Sequence, residues 1–414
     1  MTELPPPRRQ LGTQAVLLVG ATVVAQLAVA IVYILGARGV TPAEFGLVVA
    51  TIAIGTAGSG FFDFGSNSLW IREFARSRLD VTQLSRLVRT KLLVAVGIGG
   101  ILAAGCLMFA PGTSLWTAAP VGVAILLTQT MQVPLRALAR METVALAMVA
   151  DRAMALAIAF AISGTGRPIA DGLWAALAGG SLTSAAICYW MTPRAYRLRF
   201  RAGGWSNPWR GSHFYGLSSL AITTQSLDVV ILAAAGGPTA SGTYGAVSRW
   251  VQPLSLLANA YASTSVPFLA RAQTLREGWA HARRAAWLIW LAILGCGFLA
   301  VGAPILVPLL LGGSYEASIT VLQFLALGAV AAILNQPAAS FLQSMGFDRR
   351  ISAIVVATVV VQLAVVALLA GPLGALSAAI AMVVAQWLMS AALAISILRI
   401  LRNDRKTERS EDDN

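Results

Sequence analysis

Charge is what this 414-residue chain has least of: 11% of its residues are Asp, Glu, Lys or Arg, against 57% that are hydrophobic. Soluble domains carry roughly 25% charged residues, so this composition cannot clothe a globule in water. Cysteine is nearly absent as well. Its three copies, Cys106, Cys188 and Cys296, all fall inside apolar runs, and an odd count at that depth offers no disulfide framework. The two histidines, His213 and His281, sit at the ends of apolar runs beside basic loops, where they read as interfacial residues. With so few histidines and cysteines, no spacing suits a metal site, and no cofactor is expected. Long hydrophilic stretches are missing too, which leaves no room for a soluble domain.

The chain consists instead of long apolar runs. A helix needs roughly 20 mostly apolar residues to cross a bilayer core, and only a helix satisfies its own backbone hydrogen bonds there. Twelve spans are legible, at about 11–37, 43–67, 91–111, 115–136, 141–163, 170–192, 213–236, 240–264, 285–311, 317–344, 350–370 and 373–398. The expected fold is an all-α polytopic membrane protein. The first run follows Pro5-Pro6-Pro7-Arg8-Arg9 and reads as a retained helix, because no small-residue cleavage site precedes a hydrophilic mature region.

The basic residues orient these spans. Of the 30 Lys and Arg, 26 fall in segments on one side, and Arg38 and Arg167 are the two on the other. The last two, Arg152 and Arg249, lie inside spans. By the positive-inside rule both termini are cytoplasmic, as for a multi-pass protein of the bacterial inner membrane. A net charge of +13 and a pI near 10.7 would otherwise suggest nucleic acid. Here the charge sits in short juxtamembrane loops, where it sets topology and attracts anionic headgroups.

The second half of the chain repeats the first. Leu127-Thr128-Gln129 … Leu135-Arg136-Ala137 aligns with Leu334-Asn335-Gln336 … Leu342-Gln343-Ser344, an offset of 207. Asp171-Gly172-Leu173-Trp174 meets Leu373-Gly374-Ala375-Leu376 after a small deletion. More loosely, Gly39-Val40-Thr41-Pro42 … Phe45-Gly46 corresponds to Gly236-Gly237-Pro238 … Tyr244-Gly245. Six spans per half is an even number, so the halves enter the membrane alike and their pseudo-twofold axis runs along the membrane normal. This divides the chain into a six-helix lobe at 1–192, a basic cytoplasmic linker at 193–212, a second six-helix lobe at 213–398 and a charged tail at 399–414. Two such lobes enclose a cleft that rocking would expose to alternate sides.

Polar groups at membrane depth are the candidate site, since a charge at a helix centre costs about 2.5–3.5 kcal/mol on insertion scales. Asp151 and Arg152 lie midway along the fifth span, Asp228 in the seventh and Arg249 in the eighth. Gln26 is near the middle of the first span, and Arg38 is at its outer end. Ser218, Gln225 and Asp228 share one face of the seventh span. Ser241, Tyr244, Ser248, Gln252, Ser255, Asn259 and Ser263 form a stripe along the eighth. These groups have two readings. They are structural glue between helices, or they face a hydrated cleft in which Arg249 and Arg152 hold an anionic headgroup. A guanidinium's planar fork suits phosphate in the second case. Asp63 reads as an anchor at a helix end.

Gly39-Val40-Thr41-Pro42-Ala43-Glu44-Phe45-Gly46, then Phe62-Asp63-Phe64-Gly65, then Ile71-Arg72-Glu73-Phe74-Ala75-Arg76 together resemble the opening of the polysaccharide biosynthesis or O-antigen flippase family. Gly312-Gly313-Ser314-Tyr315, Val321-Leu322-Gln323 and Leu342-Gln343-Ser344-Met345-Gly346 resemble its second-half landmarks. Gly39-Val40 departs from the usual Leu-Gly before the proline, and twelve spans differ from the fourteen of the lipid II flippases in the same superfamily. The resemblance implies a flippase rather than an enzyme. Its cargo would be an undecaprenyl-diphosphate-linked oligosaccharide for O-antigen or exopolysaccharide, moved from inner to outer leaflet by alternating access. The implied partners are membrane lipids, H+ or Na+ as coupling ion, and a polysaccharide polymerase with glycosyltransferases. Arg249, Arg152, Arg38, Gln26, Gln225, Gln252 and Asn259 are then the substrate candidates, and Asp228 and Asp151 the ion-coupling ones. The alternative is a cation-coupled multidrug antiporter of the same superfamily. A membrane enzyme would need a sizeable outer loop for its acids and bases, which this chain lacks.

Overall fold

A computed structural model describes residues 11–199, 204–212, 216, 220, 223–255, 258, 287–344 and 347–412. Among them there is no strand; the chain is a bundle of helices joined by short turns. In chain order these are α1 (Leu11–Ala37), α2 (Pro42–Asp63), α3 (Ser66–Ala75), α4 (Val81–Phe109), α5 (Ala118–Met131), α6 (Val133–Ala137), α7 (Met141–Gly164) and α8 (Ile169–Met191). The second half contributes α9 (Asp228–Gly236), α10 (Pro238–Ser248), α11 (Trp287–Leu311), α12 (Ser318–Ser344), α13 (Asp348–Leu373) and α14 (Ala375–Asp412). Ten helical stretches among the described residues are long and apolar enough to cross a membrane. They coincide with ten of the twelve expected spans, and α9 and α10 fall in the other two. Asn259, Ser218, Ser263, His213 and His281 lie outside the described residues.

The helix ends follow from local chemistry. Thr41 caps α2 in a reciprocal box with Glu44, with Pro42 as the first helical residue. Asp80 and Gln83 make the same box at α4. Two expected boundaries move here. The second span stops at Asp63 rather than 67, because Phe64 and Gly65 both turn left-handed, at φ 43° and 68°. The third helix starts at Val81 rather than 91, because its first turns are amphipathic and carry Arg86, Arg89 and Lys91 on helix rather than in loop. The last helix likewise runs unbroken beyond 398 to Asp412.

Large apolar side chains point outward along α4 and α11: Phe109 is 88% exposed and Val301 83%. A soluble protein does not present such faces, whereas lipid covers them. By contrast α2, 61% buried along its span, is central.

Contacts sort the helices into two lobes. In the first, α7 packs on α8 and α1, and α5 on α2, α4 and α8; in the second, α14 packs on α12 and α13, α11 on α12, and α9 on α10 and α13. Between lobes, α2 lies along α10, with lesser contacts to α9 and of α1 with α10 and α11. The repeat is visible in these contacts. Thr128 on α5 donates to the Ser181 carbonyl on α8, and Asn335, 207 residues later on α12, donates to the Gln386 carbonyl on α14 at 2.9 Å. Where the lobes meet, a Cβ on Gly46 would stand 1.8 Å from the Pro238 carbonyl oxygen, and one on Gly242 1.7 Å from that of Pro42. The crossing is its own image at an offset of 196, as a pseudo-twofold demands. The loose sequence pairing of Gly46 with Gly245 therefore shifts by three residues, to Gly242.

One continuous core of buried residues runs through both lobes from the charge-poor end, around Ala37, Leu311 and Tyr315, to Val251 and Ala258. At the basic end there are two separate groups, one around Trp70, Leu84 and Leu135 and the other of Leu342, Ile351 and Leu393. Phe64, whose ring fills the space beside Gly216, is a contact between halves near that end.

Candidate functional site between the lobes

A polar meeting point of the lobes lies where the helices of the second lobe are interrupted. Pro253 has no N–H to offer the Arg249 carbonyl, so α10 stops at Ser248 and helix resumes at Gln252. The intervening turn is held by three-residue bonds, Trp250 N–H to Val247 O at 3.0 Å and Leu254 N–H to Val251 O at 3.2 Å. The seventh span is interrupted as well, by a 3-10 turn at Gln225–Leu227 immediately before Asp228 opens α9. Discontinuous helices at membrane depth present backbone and charge to a cavity or ligand.

Asp228 is buried. One carboxylate oxygen accepts from the Tyr244 hydroxyl at 2.7 Å and the other from the Val229 N–H at 2.6 Å. Arg249 is near enough for its charge to act on Asp228, yet no described carboxylate lies within 4 Å of it. Its guanidinium rests instead on the ring of Tyr33, 5.4 Å from the centroid, which joins α1 of the first lobe to the second. A cation over a ring contributes about 0.5–2 kcal/mol, more as water is excluded, and it leaves the N–H donors unspent. Trp250, the next residue, adds a buried indole N–H with no acceptor among the described residues.

The other candidates distribute as follows. Gln26 is half-buried on α1, two turns before Tyr33 on the same face. Gln252 is half-buried just past the break. Gln225 donates to Gln362 of α13 at 3.1 Å, inside the second lobe. Asp151 and Arg152 pair with each other at 3.5 Å within the first lobe, and Asp151 packs so closely on Gly180 of α8 that a Cβ there would stand 2.6 Å from its carboxylate. Arg38 is exposed at the charge-poor end, away from the Arg249 cluster, in a cavity that also includes Glu44. In the polar stripe, the hydroxyls of Ser241 and Ser248 bond back to carbonyls of their own helix, and Ser241 is buried at the α2 crossing. Tyr33 and Trp250 escaped the sequence reading, which followed charges, amides and the hydroxyl-rich stripe of the eighth span. The spacing of seven from Gln26 to Tyr33 was the available signal.

Asp63 forms a second, separate cluster at the basic end. Lys91 is fully buried and donates to Asp63 at 3.1 Å, to Ser66 at 3.0 Å and to Asn67 at 2.8 Å, with the Trp70 ring 4.2 Å from the ammonium. All three of its protons are satisfied, so the ammonium anchors the α2–α3 turn to α4 and has no proton left for a ligand.

Over residues 11–273 the sequence matches the family described as polysaccharide biosynthesis protein. The chain belongs to that family. No curated protein matches it. Among solved structures, this polysaccharide biosynthesis family member is similar to a multidrug resistance MATE family transporter of the MOP superfamily in an inward-facing conformation. The TM-score is 0.60 at 17% identity over 96% of both chains. It is also similar to the lipid II flippase MurJ in an inward closed conformation, with TM-score 0.72 at 12% identity over 92% of this chain and 87% of MurJ. A MOP superfamily transporter from Pyrococcus furiosus matches with TM-score 0.53 at 16% identity, over 96% of this chain and 99% of that one. At these identities the likeness is one of fold: the polysaccharide biosynthesis family member has the two-lobed helical architecture of MOP transporters.

Proposed function

We propose that this protein is a flippase that carries an undecaprenyl-diphosphate-linked oligosaccharide from the inner to the outer leaflet for surface polysaccharide synthesis. The basic end and both termini face the cytoplasm. The lobes at 1–192 and 213–398, joined by the linker at 193–212 and followed by the tail from 399, rock against each other without covalent chemistry. The observation that carries the reading is Arg249, a guanidinium held on Tyr33 of the opposite lobe, beside a broken helix and with no carboxylate partner among the described residues. An arginine in that state grips a diphosphate bidentately, and Trp250, Gln252, Gln26 and Asn259 offer polar contacts to the sugar. Arg152 is a secondary contact. Asp228 couples the cycle to H+ or Na+, with Asp151 as the second candidate. Neutralising Asp228 removes the attraction it exerts on Arg249, so ion and headgroup bias the same element. A polymerase and glycosyltransferases are the expected partners, and they would be encoded beside this gene.

The test is complementation of a strain that lacks the gene. Arg249→Ala abolishes surface polysaccharide at normal protein level, while Asp228→Asn, which retains a partner for Tyr244, removes dependence on the ion gradient. Full activity of Arg249→Ala would withdraw the assignment. The buried lone carboxylate of Asp228 and the MATE likeness also suit a cation-coupled drug antiporter. In that case the deletion strain gains drug susceptibility and keeps its polysaccharide.

A further inference from the structure

At the charge-poor end an open cavity of about 480 Å3 lies between the two lobes. One wall is the α1–α2 turn, with Arg38 and Glu44; the other is the end of α11 and the turn after it, with Pro308, Leu309, Leu311 and Ser314. The cavity carries one cation and one anion that do not pair within 4 Å. Arg38 has no acceptor for its guanidinium among the described residues. Glu44 spends one oxygen on the Thr41 N–H at 2.8 Å and hydroxyl at 2.9 Å, and the other has no hydrogen-bond donor among the described residues. A simple anion would meet Glu44 there, and a simple cation would meet Arg38. A ligand with a phosphate and a protonated amine a few bonds apart satisfies both.

A second observation fixes what that ligand is attached to. Leu309, in the cavity wall, is 66% exposed and begins a file of outward apolar residues along α11: Ile305 (71%), Val301 (83%), Phe298 (67%) and Leu294 (69%). Their spacing of three and four places them on one helical face, so a continuous apolar track leads from the cavity towards mid-membrane. We propose that the cavity binds the zwitterionic phosphoethanolamine headgroup of a bilayer lipid, its phosphate on Arg38, its ammonium on Glu44 and an acyl chain along α11. Because the two walls belong to different lobes, the site exists only while the charge-poor ends are together, and the lipid stabilises that state over one in which they part.

The experiment is native mass spectrometry of purified, delipidated protein given equal amounts of phosphatidylethanolamine, phosphatidylglycerol and phosphatidylcholine. Phosphatidylethanolamine is retained several-fold over the other two, since phosphatidylglycerol lacks the cation and phosphatidylcholine's quaternary nitrogen has no N–H for Glu44. Arg38→Gln and Glu44→Gln each bring retention down to parity. Arg38 is exposed, and Gln at position 44 preserves the capping box, so both variants fold. Equal retention of the three lipids by the unaltered protein, a preference for phosphatidylglycerol, or a preference that survives both substitutions overturns the proposal. Displacement by water-soluble phosphoethanolamine at matched concentration would assign the site to a free amine–phosphate and overturn the lipid.

Discussion

Lys91 shows how much a single residue changes once its neighbours are known. In sequence it is the last of a run of basic residues before an apolar span, which reads as loop. In the structure it is fully buried, with three oxygens and an indole around its ammonium. Removing one partner of a buried pair strands the other, at a cost of roughly 3–5 kcal/mol. Lys91→Met therefore lowers the unfolding midpoint in detergent markedly, and adding Asp63→Asn recovers much of the loss. A double variant no better than the single one would show that the pair is not the source. Arg249 was legible as a charge inside a span, and the Asp228 carboxylate likewise. Their surroundings were not, because Tyr33 and Tyr244 approach them from residues 216 and 16 positions away or carry no charge to draw attention.

At the scale of elements, most of the architecture could be read directly. Length and apolarity delimit α1, α5, α7, α8, α11 and α13 to within a few residues, since lipid imposes one solution on each apolar run. Reading failed where a helix carries charge into the interface, as in the first turns of α4, or where its backbone is interrupted, as at Arg249 to Val251. The α2–α10 crossing is the element-level contact with the least slack. Any side chain at Gly46 or Gly242 meets a carbonyl oxygen of the other lobe. Gly46→Leu and Gly242→Leu each part the lobes at the charge-poor end, so a cysteine placed near the crossing becomes reactive to a membrane-impermeant maleimide in either variant. Protection equal to that of the parent would show that the crossing absorbs the bulk.

For the whole molecule the question is whether the lobes must separate there during function. The Val49 Cβ lies 3.2 Å from where a Cβ on Gly245 would stand, slightly inside the range of about 3.5–4.5 Å that a disulfide spans. In a background without Cys106, Cys188 and Cys296, the pair Val49→Cys with Gly245→Cys cross-links the lobes on oxidation. Alternating access then stops and returns on reduction, as surface polysaccharide output in the complemented strain reports. Undiminished output from fully cross-linked protein would refute rocking about this seam.

Hydrophobic runs and the internal repeat were enough to determine a two-lobed, all-helical membrane bundle of about twelve spans, and short motifs such as Phe62-Asp63-Phe64-Gly65 pointed to its family. The runs follow a one-dimensional rule that lipid enforces residue by residue. Which polar groups face one another was decided only by tertiary structure. Asp151 pairs with Arg152 and Asp63 with Lys91 within the first lobe, and Arg249 reaches across to Tyr33. Position along a helix sets a residue's depth and face, but its partner depends on how the neighbouring helices are turned and on where a proline breaks one of them.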